Sequence, residues 1–291
     1  MPEAIRPRRS VLYMPGSNAR ALEKGRTLAA DGLVLDLEDS VAPDIKQTAR
    51  EGIASALAAD GYGEREIVVR TNDLATEWAE ADLAAVAKMP NCHAVLLPKV
   101  ESAAMVQKAL AILDSAGAPK TLSFWCMMET PLGILNAKEI AFADPRVGCL
   151  VLGTSDLAKD LNCRHVPGRL PFLMALEHCI LAARAAKIAV LDGVHLDLDD
   201  DAGFRAACEQ GRDLGMDGKT LIHPKTIAIA NEVFAPSTAD VTWAKRIIAA
   251  HGEAVKAGKG VILVDGKLIE NLHVTEAKRL VGLADAIVNR T

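Results

Sequence analysis

The stretch GLVLDLEDSVAPDIKQTAREGIASALAA, Gly32–Ala59, reads as one strand followed by one helix. Gly32–Glu38 is a nearly continuous apolar run, which suits a strand buried on both faces. Ile45–Ala59 is Ala-rich with helical spacing. The same rhythm recurs upstream, with strand Ser10–Met14 and helix Ala19–Ala30. Downstream, strands are expected at Ile67–Asn72, Ala94–Val100, Leu122–Met128, Val147–Gly153, Ala189–Leu196 and Asp217–Ile222. The helices that follow them are Glu77–Lys88, Ala103–Ser115, Leu132–Phe142, Leu170–Ala186 (after a long loop), Asp200–Leu214 and Lys225–Val233. Eight strand–helix pairs in about 225 residues predict an α/β fold, a closed parallel (β/α)8 TIM barrel wrapped by helices.

Residues 1–235 are assigned to this catalytic barrel and 236–291 to a C-terminal extension. The extension holds a helix (Ala239–Ala257), the Gly-bounded segment GKGVILVDGKLIE with a VDG turn, and a last helix from about Thr275 to Val288.

Composition narrows the function. The chain has 291 residues, a net charge of -5 and only 3% aromatic residues. Few rings and no basic bias argue against a nucleic-acid partner, because single-strand binders need stacking platforms and cationic surfaces. Val11–Met14 is too short for a secretory segment, and no run of ~18 apolar residues is present to span a membrane. The six cysteines are scattered with no CxxC, so reduced thiols in a cytoplasmic enzyme are expected, rather than a disulfide frame or a zinc ribbon.

In such a barrel the strand C-termini and following loops build the active site. Glu38 and Asp39 close strand two, Arg70 strand three, Lys99 strand four, Glu129 strand five, Asp156 strand six and His223 strand eight. Strand seven offers Asp192 or His195. Clustered carboxylates repel unless a proton or cation lies between them. An oxygen-only set favours Mg2+, or Mn2+, over zinc. Glu129 and Asp156 suit direct ligation, and Glu38 and Asp39 suit holding metal-bound waters. Arg70 is the natural fork for a substrate carboxylate, with an internal salt bridge to Glu38 or Asp39 as its other use. Lys99 is either a Schiff-base lysine or a charge partner for the carboxylates, and the acidic ring favours the second. The loop MPGSNARALEKG (Met14–Gly25) joins Gly16 and Ser17 to a helix N-terminus, a candidate anion pocket with Arg20 or Lys24 nearby.

Two motifs fail. GMDGKT lacks the first glycine of a phosphate loop, with Asp213 in its place. DLDDDAG, starting at Asp197, has Ala202 and Cys208 where a calcium loop needs Gly and Glu.

Read together, YMPGS, LDLEDSVAP, VVRTN, LLPKVES, METPLG, LGTSDLA and GKTLIHP resemble, in order and spacing, the citrate lyase β-subunit-like family, from about Ser10 to Asp285. That family lies in a superfamily of barrel lyases including malyl-CoA and citramalyl-CoA lyases. The resemblance implies Mg2+-dependent cleavage or formation of a carbon–carbon bond in a 3-hydroxyacyl-CoA, giving acetyl-CoA or a similar acyl-CoA and a 2-oxo acid. By motif, Glu129 and Asp156 would be metal ligands, Arg70 would hold the oxo-acid carboxylate, and Glu38 and Asp39 would support a metal-bound water. Glu129 would also contact substrate. Ser17 and Lys24 would lie near the CoA phosphates and His223 near the pantetheine arm. The family's tail pattern DG-x-M-I-D stands here as DGKLIE, so Glu270 replaces the acid/base Asp. The resemblance further implies a homo-oligomer, trimeric or hexameric, whose tail caps a neighbouring subunit. Three other readings share the metal pair: a malyl-CoA thioesterase, a β subunit acting on an acyl-carrier-protein thioester, and a pyruvate aldolase. The tail fits the last two less well, and DLEDS also fits the aldolase less well.

Overall fold

The computed structural model describes residues 5–256 and 261–290. Eight parallel strands close a barrel in chain order: β1 Ser10–Pro15, β2 Gly32–Asp36, β3 Glu66–Arg70, β4 Ala94–Leu97, β5 Ser123–Met128, β6 Val147–Leu152, β7 Ala189–Asp192 and β8 Gly218–Leu221. The first helices are α1 Ala19–Gly25, α2 Lys46–Ala58, α3 Ala79–Val86 and α4 Ala103–Ser115. Those after β5 are α5 Pro131–Leu135, α6 Ala137–Ala141, α7 Thr154–Asp160, α8 Leu173–Ala186, α9 Asp201–Leu214 and α10 Ile227–Val233. β1 pairs with both β2 and β8, which completes the circle.

Strand parity explains the apolar runs. Leu33 and Leu35 of β2 join the large cluster under the helices, whereas Val34 joins a second cluster with Val11, Val68, Trp125, Met127 and Val151 inside the barrel. Both faces are dry, so hydrophobic residues occupy both parities. One step of two beyond these interior residues stand Asp36, Arg70 and Glu129. The pleat alone therefore aims them at the barrel mouth.

Several boundaries differ from the sequence reading: α1, expected to run to Ala30, ends at Gly25, and β4, expected to reach Val100, ends at Leu97. The helix expected at Leu132–Phe142 is two five-residue helices parted at Asn136, whose side-chain amide donates to Glu101 O (2.8 Å). The long loop before α8 contains α7 and a 3-10 turn kinked by left-handed Gly168 and Arg169. β7 stops at Asp192, where Gly193 begins the loop. The cysteines carry no disulfide, and four of the six are buried as core filler.

The chain divides into two compact units, Arg8–Phe234 and a unit that joins the N-terminal residues through Pro7 to Ala235 and beyond. In the second unit, α11 Thr238–Lys256 packs on α12 Asn271–Val288, with an antiparallel hairpin of β9 Ile262–Val264 and β10 Lys267–Ile269. Asp265 and Gly266 both have positive φ, as a two-residue I′-type hairpin turn requires. Its core is Ala244, Ile247, Val264, Ile269, Val274 and Ala277, and Ile5 packs at Gly282. Ala257, the expected end of the first tail helix, and residues 258–260 lie outside the described residues. α12 starts four residues earlier than expected because Glu270 caps it. Among the described residues, no helix is long and apolar enough to cross a membrane.

Candidate active site

The register of β2 on β3 sets Asp36 beside Arg70. Arg70 Nε and Nη2 donate to the two Asp36 oxygens at 2.7 and 2.8 Å, a bidentate pair buried at the mouth. Asp36 also accepts the Glu38 N–H (2.9 Å) and both donors of Ser40 (2.6 and 3.1 Å). Burial alone would raise its pKa, but the Arg70 and Ser40 bonds prevail and hold it below the usual carboxylate range. Asp36 is the site residue that reading strand ends overlooked.

Arg70 Nη1 reaches Glu38 Oε2 (2.8 Å) and Asp39 Oδ2 (3.5 Å), and its guanidinium lies 4.8 Å over the Tyr13 ring. Its internal salt bridges thus include the predicted Glu38 and Asp39. One edge of the fork is committed to Asp36, so a substrate carboxylate has only the remaining Nη donors. Glu38 is buried, whereas the Asp39 side chain is 69% exposed. Burial raises the Glu38 pKa, opposed by Arg70 and Lys99.

Lys99 Nζ pairs with Glu38 Oε1 at 3.2 Å. Burial would lower its pKa, but Glu38 and Glu129 carry it upward. An amine held as its cation is a charge partner; a Schiff-base lysine needs the reverse shift. Lys99 also sits in the left-handed region at φ 50°, a conformation costly for a non-glycine residue. That turn directs its N–H at Glu129 Oε1, 2.8 Å away.

Glu129 is 3% exposed, and no cation pairs with it among the described residues. Burial, then the nearby Glu38 charge, push its pKa up to about 8. Gly153 makes room for it: a Cβ there would stand 2.5 Å from both Glu129 Cβ and Oε2. Asp156, half-buried in the first turn of α7, lines the same cavity of about 410 Å3, with Tyr13, Asp36, Arg70 and Glu129. Among the described residues, no three His, Cys, Asp or Glu side chains form a complete metal cage. Glu129 and Asp156 could hold a hard divalent cation that takes its other oxygens from water and substrate, the usual habit of Mg2+.

The other predicted residues lie elsewhere. Ser17 is exposed and lines a groove of about 430 Å3 between α1 and α2 with Arg26 and Gly52. Lys24 is exposed in the last turn of α1 and is not among that groove's lining residues. His223 is exposed, and its Nδ1 accepts the Lys225 N–H (3.2 Å) as a cap. Glu270 belongs to the second unit, where its N–H donates to His273 Nδ1 (3.0 Å) at the start of α12. Asp192 is structural, locked between Lys219 (2.8 Å) and Arg169 (2.7 Å), and His195 packs edge-on against Phe204.

The chain as a whole is similar to known proteins. The family model described as HpcH/HpaI aldolase/citrate lyase matches residues 9–224. A (3S)-malyl-CoA thioesterase of Cereibacter sphaeroides is 49% identical over 287 residues, covering 99% of this chain and 98% of the relative. A citrate lyase subunit beta of Leuconostoc mesenteroides is 35% identical, covering 97% and 94%. Among solved structures, CitE from Mycobacterium tuberculosis, in complex with magnesium, acetoacetate and coenzyme A, is 30% identical. It covers 95% of this chain and 97% of that one with a TM-score of 0.75.

Proposed function

This chain belongs to the HpcH/HpaI aldolase/citrate lyase family, and from that membership we propose that it is a Mg2+-dependent enzyme acting on a malyl-CoA-type 3-hydroxyacyl-CoA, with hydrolysis of the thioester as its main reaction. The observation that carries the reading is the Glu129–Asp156 carboxylate pair facing Arg70 in one cavity. A buried carboxylate with no cation paired to it among the described residues, beside a second carboxylate, is a donor set that suits a hard divalent ion. Glu129 and Asp156 would hold Mg2+, which when bound supplies Lewis-acid polarisation of the substrate oxygens.

The chain's own groups do the rest. The Nη2 N–H of Arg70 that is not given to Asp36 holds the acyl chain's carboxylate, with the guanidinium pre-aligned by Asp36. Glu38 and Asp39 orient the attacking water, and Arg70 and Lys99 offset the burial that raises the Glu38 pKa. Ser17 and Lys24 are the proposed contacts for the CoA phosphates, and His223 for the pantetheine arm.

Hydrolysis leads because the thioesterase relative is 49% identical along its full length. Carbon–carbon cleavage is the second reading, favoured by the citrate lyase relatives and by the acid retained at Glu270. In that reaction the bond between the hydroxyl-bearing carbon and the carbon next to the thioester breaks. The hydroxyl loses its proton to a water held by Glu38 and Asp39 as its oxygen becomes the oxo group, and Glu270, supplied by a second copy in a homo-oligomer, gives its proton to the acyl-CoA carbon.

The deciding assay incubates purified protein with Mg2+ and malyl-CoA, and measures free thiol and 2-oxo acid separately. Free thiol without oxo acid is expected. Oxo acid without free thiol replaces hydrolysis by cleavage, and activity undiminished by a chelator removes the metal from the proposal. Under the second reading, Glu270→Gln loses proton exchange at the acetyl-CoA methyl while CoA binding persists. Retained exchange takes Glu270 out of the chemistry.

A further inference from the structure

Lys46 opens α2 and is 6% exposed. Its ammonium donates to two main-chain carbonyls, Leu37 O and Glu38 O, both at 2.7 Å, and lies 5.3 Å from the Trp78 ring centre. Among the described residues, no carboxylate stands within ion-pair distance of it. A buried charge without a direct ion-pair partner is expensive, and an apolar chain of the same length would avoid that cost. The cation therefore requires a reason beyond packing.

The two carbonyls supply one. β2 ends at Asp36, so Leu37 and Glu38 lie where the chain leaves the sheet and side chains must take over from the ladder. Leu37 O also accepts Asn72 Nδ2 (3.0 Å). Asn72 is gripped by Asp82 Oδ2 through Nδ2 (2.6 Å) and its N–H (2.9 Å), and Arg50 holds the other Asp82 oxygen (2.9 and 2.7 Å). The segment that carries Glu38 is thus clamped from α2, α3 and the end of β3, with Lys46 as the only one of these side chains that touches Glu38's own carbonyl. The Glu38 carboxylate meets Lys99 Nζ and Arg70 Nη1 on its other side.

We propose that Lys46 is a positioning residue: it fixes the Leu37–Glu38 main chain so that the Glu38 carboxylate engages Lys99 and Arg70 in the geometry the reaction uses. This rests on the reading of the barrel mouth as the reaction centre.

The test is a double-mutant cycle on malyl-CoA turnover with Glu38→Gln, Lys46→Met and the pair, plus Lys46→Arg for rescue. Lys46→Met is expected to lower kcat about 10-fold with KM changed less than about twofold, and Lys46→Arg to recover most of the loss. The double variant is expected to be no slower than Glu38→Gln alone. Multiplying losses, or a change confined to KM, overturn the proposal. If Lys46→Met is insoluble, Lys46→Gln takes its place in the cycle. Amide hydrogen exchange is a readout independent of activity. Lys46→Met is expected to speed exchange at Val41, whose N–H donates to Glu38 O, at least about 10-fold while the amides of β5 and β6 stay protected. Unchanged exchange at Val41 removes Lys46's hold on the segment. Inactive wild-type protein with faster Val41 exchange in the variant removes the proposed reaction instead.

Discussion

Glu129→Gln is expected to lower kcat/KM at least about 1,000-fold while leaving the barrel folded, which corresponds to roughly 4 kcal/mol of lost transition-state stabilisation. The side chain is almost isosteric, so the cavity beside Gly153 stays filled and the Lys99 N–H keeps an acceptor. What is lost is charge. In the native protein that charge is unwelcome unless something offsets it, since burial and Glu38 push the Glu129 pKa up to about 8. A neutral amide at this position therefore costs the metal-free protein no stability. Thermal melting with and without Mg2+ separates the two effects. The metal-free melting temperature should match or exceed that of the wild type, and the stabilisation that saturating Mg2+ confers on the wild type should vanish. Wild-type turnover by the variant, or an undiminished Mg2+ shift, would remove Glu129 from the metal site. A large fall in the metal-free melting temperature would instead mark it as a structural acid.

The barrel was legible because burial on both faces leaves a plain trace: strands two to six are mostly apolar on both parities, aliphatic in β2, β3, β4 and β6 and built from Phe, Trp, Cys and Met in β5, and they alternate with helical segments. Most of the mouth was legible too, since a charged residue that ends an apolar run stands out, as at Arg70 and Glu129. Asp36 was missed for an instructive reason. The run LVLDLED reads as ending where two acids come together, at Glu38 and Asp39. Yet Asp36 has the parity of Val34, which points inside the barrel. A carboxylate on that parity has to be paired, and Arg70 two residues past interior Val68 on the adjacent strand was its natural partner. Lys46 left less of a trace, because at the start of an amphipathic helix a lysine looks like solvated charge. Only the fold shows that its ammonium turns inward to two carbonyls. The bend at Asn136 and the left-handed turn at Lys99 depend on contacts with residues far along the chain, Glu101 O and Glu129, which no local pattern encodes.

Asp36→Asn tests whether that overlooked carboxylate organises the mouth. The change keeps the shape and removes the charge, so Arg70 loses the partner of its Nε and Nη2 edge and remains a buried cation facing Glu38. Breaking a buried, hydrogen-bonded pair from one side costs roughly 3–5 kcal/mol, and the fall should show in urea unfolding at neutral pH. The guanidinium is then free to turn toward Glu38 and Asp39. A displacement of about 1 Å at a substrate-holding group is enough to lower kcat/KM about 100-fold. The pH dependence has a definite sign. The Asp36 pKa is lower in the folded protein than in the unfolded chain, so its stabilisation is complete above the unfolded value and disappears as pH falls through the folded one. The stability gap between wild type and Asp36→Asn should therefore be constant near neutrality and narrow below about pH 4, as the wild-type carboxylate takes up its proton. Unfolding free energies measured from pH 7 down to pH 3 check this. A gap that widens on acidification, or a variant as stable as the wild type at pH 7, would mean that Arg70 is held by Glu38 and Asp39 alone and that Asp36 is a bystander.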